Sequence, residues 1–127
     1  MNDLEIEKRD GTFYVTWNGR AFEGPRLEDI LETALEETEW KEDVERRLST
    51  LFDERDVEQV DLGGSGEWWY ANATIPIIRE YDNKYYNVES YDPVSALSEL
   101  ETAIENGWDH ESGLPTIERI LTWAWFV

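Results

Sequence analysis

A chain of 127 residues, 40% apolar and 13% aromatic, is long enough to bury a core without disulfide or metal support and too apolar for wholesale disorder. It has no cysteine, which excludes disulfides, Cys-ligated zinc and thiol nucleophiles. Thirty acids against eleven bases give a formal net charge of −19, which repels nucleic acid and anionic membrane and favours a basic partner, cations or a high-salt surrounding.

Taken in order, residues 3–23 read as a small antiparallel meander. Asp10-Gly11 and Asn18-Gly19 are two-residue hairpin signals. Between them Phe13, Val15 and Trp17 alternate with Tyr14 and Thr16, and Leu4 and Ile6 alternate likewise, so one face packs inward. Gly24-Pro25 then hands over to a helical region.

The stretch Leu27 to Asp61 holds fourteen acids against four bases, a net −10. Its apolar residues keep helical spacing, through Leu27, Ile30, Leu31, Ala34 and Leu35 and then Val44, Leu48, Leu51 and Phe52. The spacing predicts helices over 27–37 and 39–53, with Thr38 as a cap for the second and a single bent helix as the alternative. On the opposite face Glu28, Glu32, Glu36, Glu39 and Asp43 fall near one stripe. Like charges at i, i+4 cost a helix roughly 0.2–0.5 kcal/mol per pair, so local helix stability does not account for this face.

Val57 to Leu62 reads as a weak strand. Gly63-Gly64-Ser65-Gly66 reads as a flexible hairpin connection, since a phosphate-cradling turn needs a helix immediately after it and Glu67-Trp68-Trp69-Tyr70 is strand material. Residues 67–78 and 84–91 are two strands turned at Asp82-Asn83, and Pro76 places its strand at an edge or a bulge. Asp92-Pro93 starts a helix with a stripe of Val94, Leu97, Leu100 and Ile104, which Gly107 closes. Residues 116–127 fit either helix or strand. The expected architecture is one α+β domain over 1–127, an antiparallel sheet (N-terminal meander plus central hairpin) packed against acidic amphipathic helices.

The charge is partitioned. Residues 1–26 and 62–88 carry net −1 each, whereas 27–61 carry −10 and 89–127 carry −7. Chemistry is sparse by contrast. His110 is the single histidine and no Gly-x-Ser-x-Gly elbow exists, so a nucleophilic triad is implausible and His110 reads as a solvated loop residue. Asp56 and Glu67 are spaced as the ends of an EF-hand loop, but Val60 and Asp61 stand where a ligand and a glycine are required. An acid pair beside Trp68 or Trp69 could suggest glycoside chemistry, yet thirty acids make that coincidence ordinary. Trp68, Trp69, Trp123 and Trp125 read as core or interface. No enzyme, cofactor or metal site is expected.

The leading expectation is a protein-binding inhibitor that imitates nucleic acid. Carboxylates fixed on helices reproduce the phosphate ridges of a duplex, and the partner is the basic surface of a nucleic-acid-binding protein, with no direct nucleic acid and no membrane. The residues singled out are Glu28, Asp29, Glu32, Glu36, Glu39, Glu42 and Asp43, with Glu99, Glu101 and Glu105 as a second ridge. In charge and size the chain is similar to mobile-element-encoded blockers of restriction or CRISPR nucleases, though no motif ties it to a family. The expected location is cytoplasmic, in the host cell for a mobile-element protein, because no signal-like segment and no apolar run of about 18–20 residues occurs. The alternatives are a halophile-adapted cytosolic domain and an antitoxin or immunity protein covering a basic toxin. Three Lys against eight Arg fits salt adaptation, whereas twenty Glu against ten Asp and seven Trp fit it less well.

Overall fold

Three antiparallel strands open the chain: β1 (Asn2–Arg9), β2 (Thr12–Trp17) and β3 (Arg20–Gly24). Both connecting turns hold positive φ at both central residues, 50° and 80° at Asp10-Gly11 and 48° and 86° at Asn18-Gly19. This is the primed-turn geometry whose twist matches that of the flanking strands, and Asn, Asp and Gly tolerate it. The computed structural model describes residues 2–76, 83–107 and 110–111. Within them four more strands follow, β4 (Gln59–Ser65), β5 (Trp68–Pro76), β6 (Asn83–Ser90) and the two-residue β7 (His110–Glu111). The sheet order is β3-β2-β1-β4-β5-β6-β7, every neighbour antiparallel.

Register sorts the two faces. Leu4, Leu62, Ala71 and Val88 lie in one cross-strand row, and Val15, Ile6, Val60, Ala73 and Tyr86 in the next. Those rows face the helices, α1 (Leu27–Ala34), α2 (Lys41–Glu54) and α3 (Pro93–Asn106). Each helix contributes its apolar stripe: Leu27, Ile30, Leu31 and Ala34; then Val44, Leu48, Leu51 and Phe52; then Ala96, Leu97, Leu100 and Ala103, all buried. Phe13 meets Phe52 edge-on at 5.5 Å, and Trp40 stands between Trp17 and Trp69 at 5.7 and 5.8 Å. Such contacts add about 0.5–1.5 kcal/mol each beyond area burial. The α+β architecture read from the sequence is thus the one observed. Among the described residues no helix is long and apolar enough to cross a membrane.

Several local expectations are corrected. The helices break as expected but are shorter at the junction, ending at Ala34 and restarting at Lys41. Thr38 closes the first helix and does not start the second: its N–H and its hydroxyl both donate to the Leu35 carbonyl, while Trp40 is the N-cap of α2. Gly63 and Gly64 are buried within β4, opposite Tyr70 and Trp69, and the hairpin turn is Gly66-Glu67. A Cβ on Gly63 would meet the Tyr70 hydroxyl at 2.6 Å, so the glycine lets a ring lie across the strand. The strand carrying Pro76 is not at an edge, since β5 runs between β4 and β6. Pro76 is tolerated because it lies past the last β4 partner, Thr74, where no donor is needed on that side. His110 lies in a strand opposite Tyr85 and not in a loop. The helix start at Asp92-Pro93 and the Gly107 closure hold: Asp92 Oδ1 accepts from the Ser95 N–H at 2.7 Å, and Gly107 has φ 69°. The Asp82 part of the β5–β6 turn and the element over 116–127 lie outside the described residues.

Candidate partner-binding surface

The carboxylates expected on a partner surface occupy three settings. Glu28 and Asp29 stand in the first turn of α1, and Glu42 and Asp43 in the first turn of α2. Acid there faces the positive end of the helix dipole and stabilises by about 0.3–1 kcal/mol each, so these residues have a local reason to be acidic. Arg26 reaches Glu28 at 3.0 Å and Asp29 at 3.6 Å, and Arg46 reaches Asp43 at 2.5 Å.

The second setting is the seams between helices. Lys41 on α2 donates to Glu32 on α1 at 2.5 Å. Glu101 on α3 sits 3.6 Å from both Arg47 and Arg55 of α2, with its side chain only 17% exposed, and Arg55 also pairs with Glu105. The ridge expected on 99–105 is therefore largely spent inside the molecule: Glu101 and Glu105 hold α3 against α2, and only Glu99 remains without an ion pair among the described residues.

Glu36 and Glu39, with Glu37, form the third setting, and Glu42 of the first setting adjoins it in the chain. All four are exposed, and none has an ion pair among the described residues. Glu37 escaped the i, i+4 reading because it is off the stripe, but the stripe itself does not run along one axis once the chain leaves helix after Ala34. Three of the four lie on a short acidic turn between two fixed points, and Glu42 follows it in the first turn of α2. Leu35 is fully buried on one side, and Trp40 is wedged between Trp17 and Trp69 on the other. Glu36 and Glu37 follow the C-terminal end of α1, where the helix field opposes negative charge. None of the three helices has a base in its last turn to offset such a field.

Protonation at the base of this turn is linked across the two helices. The Lys41 hydrogen bond holds the Glu32 carboxyl below the usual range. Glu45, one turn into α2, is pushed up by burial and then by Glu32 beside it, and its Oε2 is buried without a hydrogen-bond partner among the described residues. Two carboxyls and one ammonium thus share a small space, and a proton entering it favours Glu45 over Glu32.

The opposite face of the sheet was not singled out from sequence. Glu5, Asp61, Asn72 and Asn87 form a cross-strand row there, flanked by Asp3 and Tyr70 and by Tyr85. Asp61 Oδ1 and Asn72 Oδ1 are buried with no hydrogen-bond partner among the described residues. Burial raises the Asp61 pKa, and Glu5 and Asp3 raise it further, against a lowering hydrogen bond from Gln59. A raised acid stabilises the fold in its protonated form. The contribution is complete below the ordinary value of 3.8 and is lost as pH rises through the higher folded value. Asp61→Asn is expected to match the parent protein's stability below that range and to exceed it at neutral pH by about 0.5–1 kcal/mol, the small figure reflecting partial solvent access. Urea melts of both proteins across the acid range check this; a gap that closes as pH rises would contradict it.

Among the described residues no group of three or more His, Asp or Glu side chains is arranged to hold a metal ion. Comparisons of this chain with protein-family models, with curated proteins and with solved structures found no match.

Proposed function

We propose that this protein is an acidic protein-binding inhibitor, a nucleic-acid mimic that occupies the basic nucleic-acid-binding surface of a nuclease or defence complex of the CRISPR or restriction type. It acts in the cytoplasm of a host cell, with no catalytic step of its own. One observation carries the reading: Glu36, Glu37 and Glu39 on a turn pinned by Leu35 and Trp40, and Glu42 in the first turn of α2 just beyond it, stand exposed and without ion pairs among the described residues. Glu36 and Glu37 there oppose the α1 field, so local stability gives no reason for them. A rigid cluster of carboxylates meets Lys and Arg side chains already spaced for phosphates, and the net charge of −19 steers the encounter.

The test is competition. The protein is titrated into complexes of CRISPR and restriction nucleases with a labelled duplex of ~20 bp at ~0.15 M salt, with polyglutamate as the control. The expected result is release of the duplex at protein concentrations at which polyglutamate releases none. The mimic's affinity should also fall less steeply with salt than that of DNA for the same partner, because a folded protein does not carry the condensed counterions that DNA releases. Equal competition by polyglutamate would reduce the effect to bulk charge. A chain that acquires its far-ultraviolet dichroism only in molar KCl would point to salt adaptation and remove the reading.

A further inference from the structure

A separate site lies at the far edge of the sheet. Strand β3 is the terminal strand of the order, paired with β2 alone among the described residues. The two-residue loop makes Trp17 and Arg20 the closing hydrogen-bonded pair. By antiparallel alternation Arg20, Phe22 and Gly24 then bond to β2, and Ala21 and Glu23 turn their N–H and C=O groups outward. Beside this edge opens a cavity of about 330 Å³, whose lining includes Phe22, Pro25 and Ile30 and the charged residues Glu23, Arg26 and Asp29. Its floor is formed where α1 closes on β3: a Cβ on Gly24 would touch the Ile30 side chain at 3.5 Å.

We propose that this edge is a strand-addition site for an extended basic segment of another protein, with one apolar anchor residue. Register and charge carry this site, independently of the mimicry reading. A strand bonding to Ala21 and Glu23 places the residue opposite Phe22 on the inner face, where the cavity under α1 receives it. Its two neighbours then point to the outer face, one of them beside Glu23. Around the cavity Glu23, Glu28 and Asp29 stand against two bases, Arg26, whose guanidinium is engaged with Glu28 and Asp29, and Arg20, which lies over the Phe22 ring, so the balance is acidic by one charge. A basic segment is therefore attracted, whereas a second copy of this chain brings its own −19. The cavity volume suits one or two side chains, at the low end of the roughly 300–1,000 Å³ that small-molecule pockets occupy.

The probe is the peptide acetyl-Lys-Val-Lys-Leu-Lys-Val-Lys-amide, titrated into the full 15N-labelled chain and followed by amide chemical shifts. Saturable shifts at Ala21, Glu23, Ile30 and Thr33 are expected, weakened when the central Leu is replaced by Gly. Ala21→Pro removes one outward donor and leaves the β2-facing ladder intact, so binding should fall at least about tenfold. Glu23→Lys should weaken it as well, and it supplies the test if the proline variant does not fold. Shifts confined to residues 36–42, equal binding of the Gly peptide, or unaltered binding by both variants would overturn the proposal. So would sedimentation showing the free chain as a dimer joined through β3.

Discussion

Changing Glu36, Glu37, Glu39 and Glu42 together to Gln is expected to weaken binding to a nuclease partner by about 1–3 kcal/mol, roughly 5- to 150-fold, and to leave the fold intact. Each exposed ion pair is worth only ~0.2–1 kcal/mol, so single changes should fall near the limit of measurement and the effect should emerge in combination. The fold should survive because all four side chains face solvent and the turn is fixed by Leu35 and Trp40. Losing Glu36 and Glu37 at the end of α1 should if anything add stability. The comparison variant is Asp10→Asn, Glu54→Gln, Asp56→Asn and Glu67→Gln, also exposed, which takes the same −19 to −15. Asp10 and Asp56 have φ 50° and 56°, a conformation Asn tolerates, so that variant should fold too. The association rate should drop for both, since steering follows net charge. Only the first should raise the dissociation rate. If the two variants lose affinity equally, position has no role and the acidic turn is not the contact.

The two kinds of information were not equally legible in the sequence. Strand and helix identities came through because alternation at Leu4, Ile6, Phe13 and Val15 and helical spacing at Val44, Leu48 and Leu51 are local consequences of one-sided burial. The acidic candidates were legible as residues but not as a surface. A stripe drawn at 100° per residue assumes an unbroken helix, and the hydroxyl of Thr38 closing on Leu35 ends that assumption. Nor does spacing reveal the counter-cations. Arg55 and Glu105 are 50 residues apart, and only the packing of α2 on α3 makes Glu101 and Glu105 partners of Arg47 and Arg55. Segment charge sums misled in the opposite sense. The meander is nearly neutral in total, yet Asp3, Glu5 and Glu7 alternate with Leu4 and Ile6 and so collect on one face, while Lys8 lies over the Phe13 ring on the other. The β3 edge site carries no motif, because it depends on main-chain groups that every sequence possesses.

Glycine at position 64 carries the largest expected effect on stability. Gly64 lies in the strand β4, buried, with φ 148°, a backbone region closed to side chains. An added Cβ would collide with the Trp68 carbonyl oxygen and come within 2.7 Å of the Trp69 Cα, backbone atoms of the paired strand that cannot rotate away. Gly64→Ala is thus expected to cost about 2–5 kcal/mol, conformational strain and overpacking together. Gly63→Ala has ordinary φ and meets the movable end of Tyr70, so it should cost less, about 1–2 kcal/mol, as the ring swings away from Asp3. The pair separates two accounts of this glycine run. A flexible connection would tolerate alanine at both positions and gain about 0.4–1 kcal/mol from a stiffer unfolded chain. A strand shaped by close approach predicts loss at both, larger at position 64. Denaturant melts with equal m-values decide between them, and a stabilised Gly64→Ala would refute the close contact. The consequence reaches the acidic turn. Displacing Trp69 removes one of the two rings that hold Trp40, so Gly64→Ala should also loosen residues 36–40, read as faster amide exchange there than in Gly63→Ala.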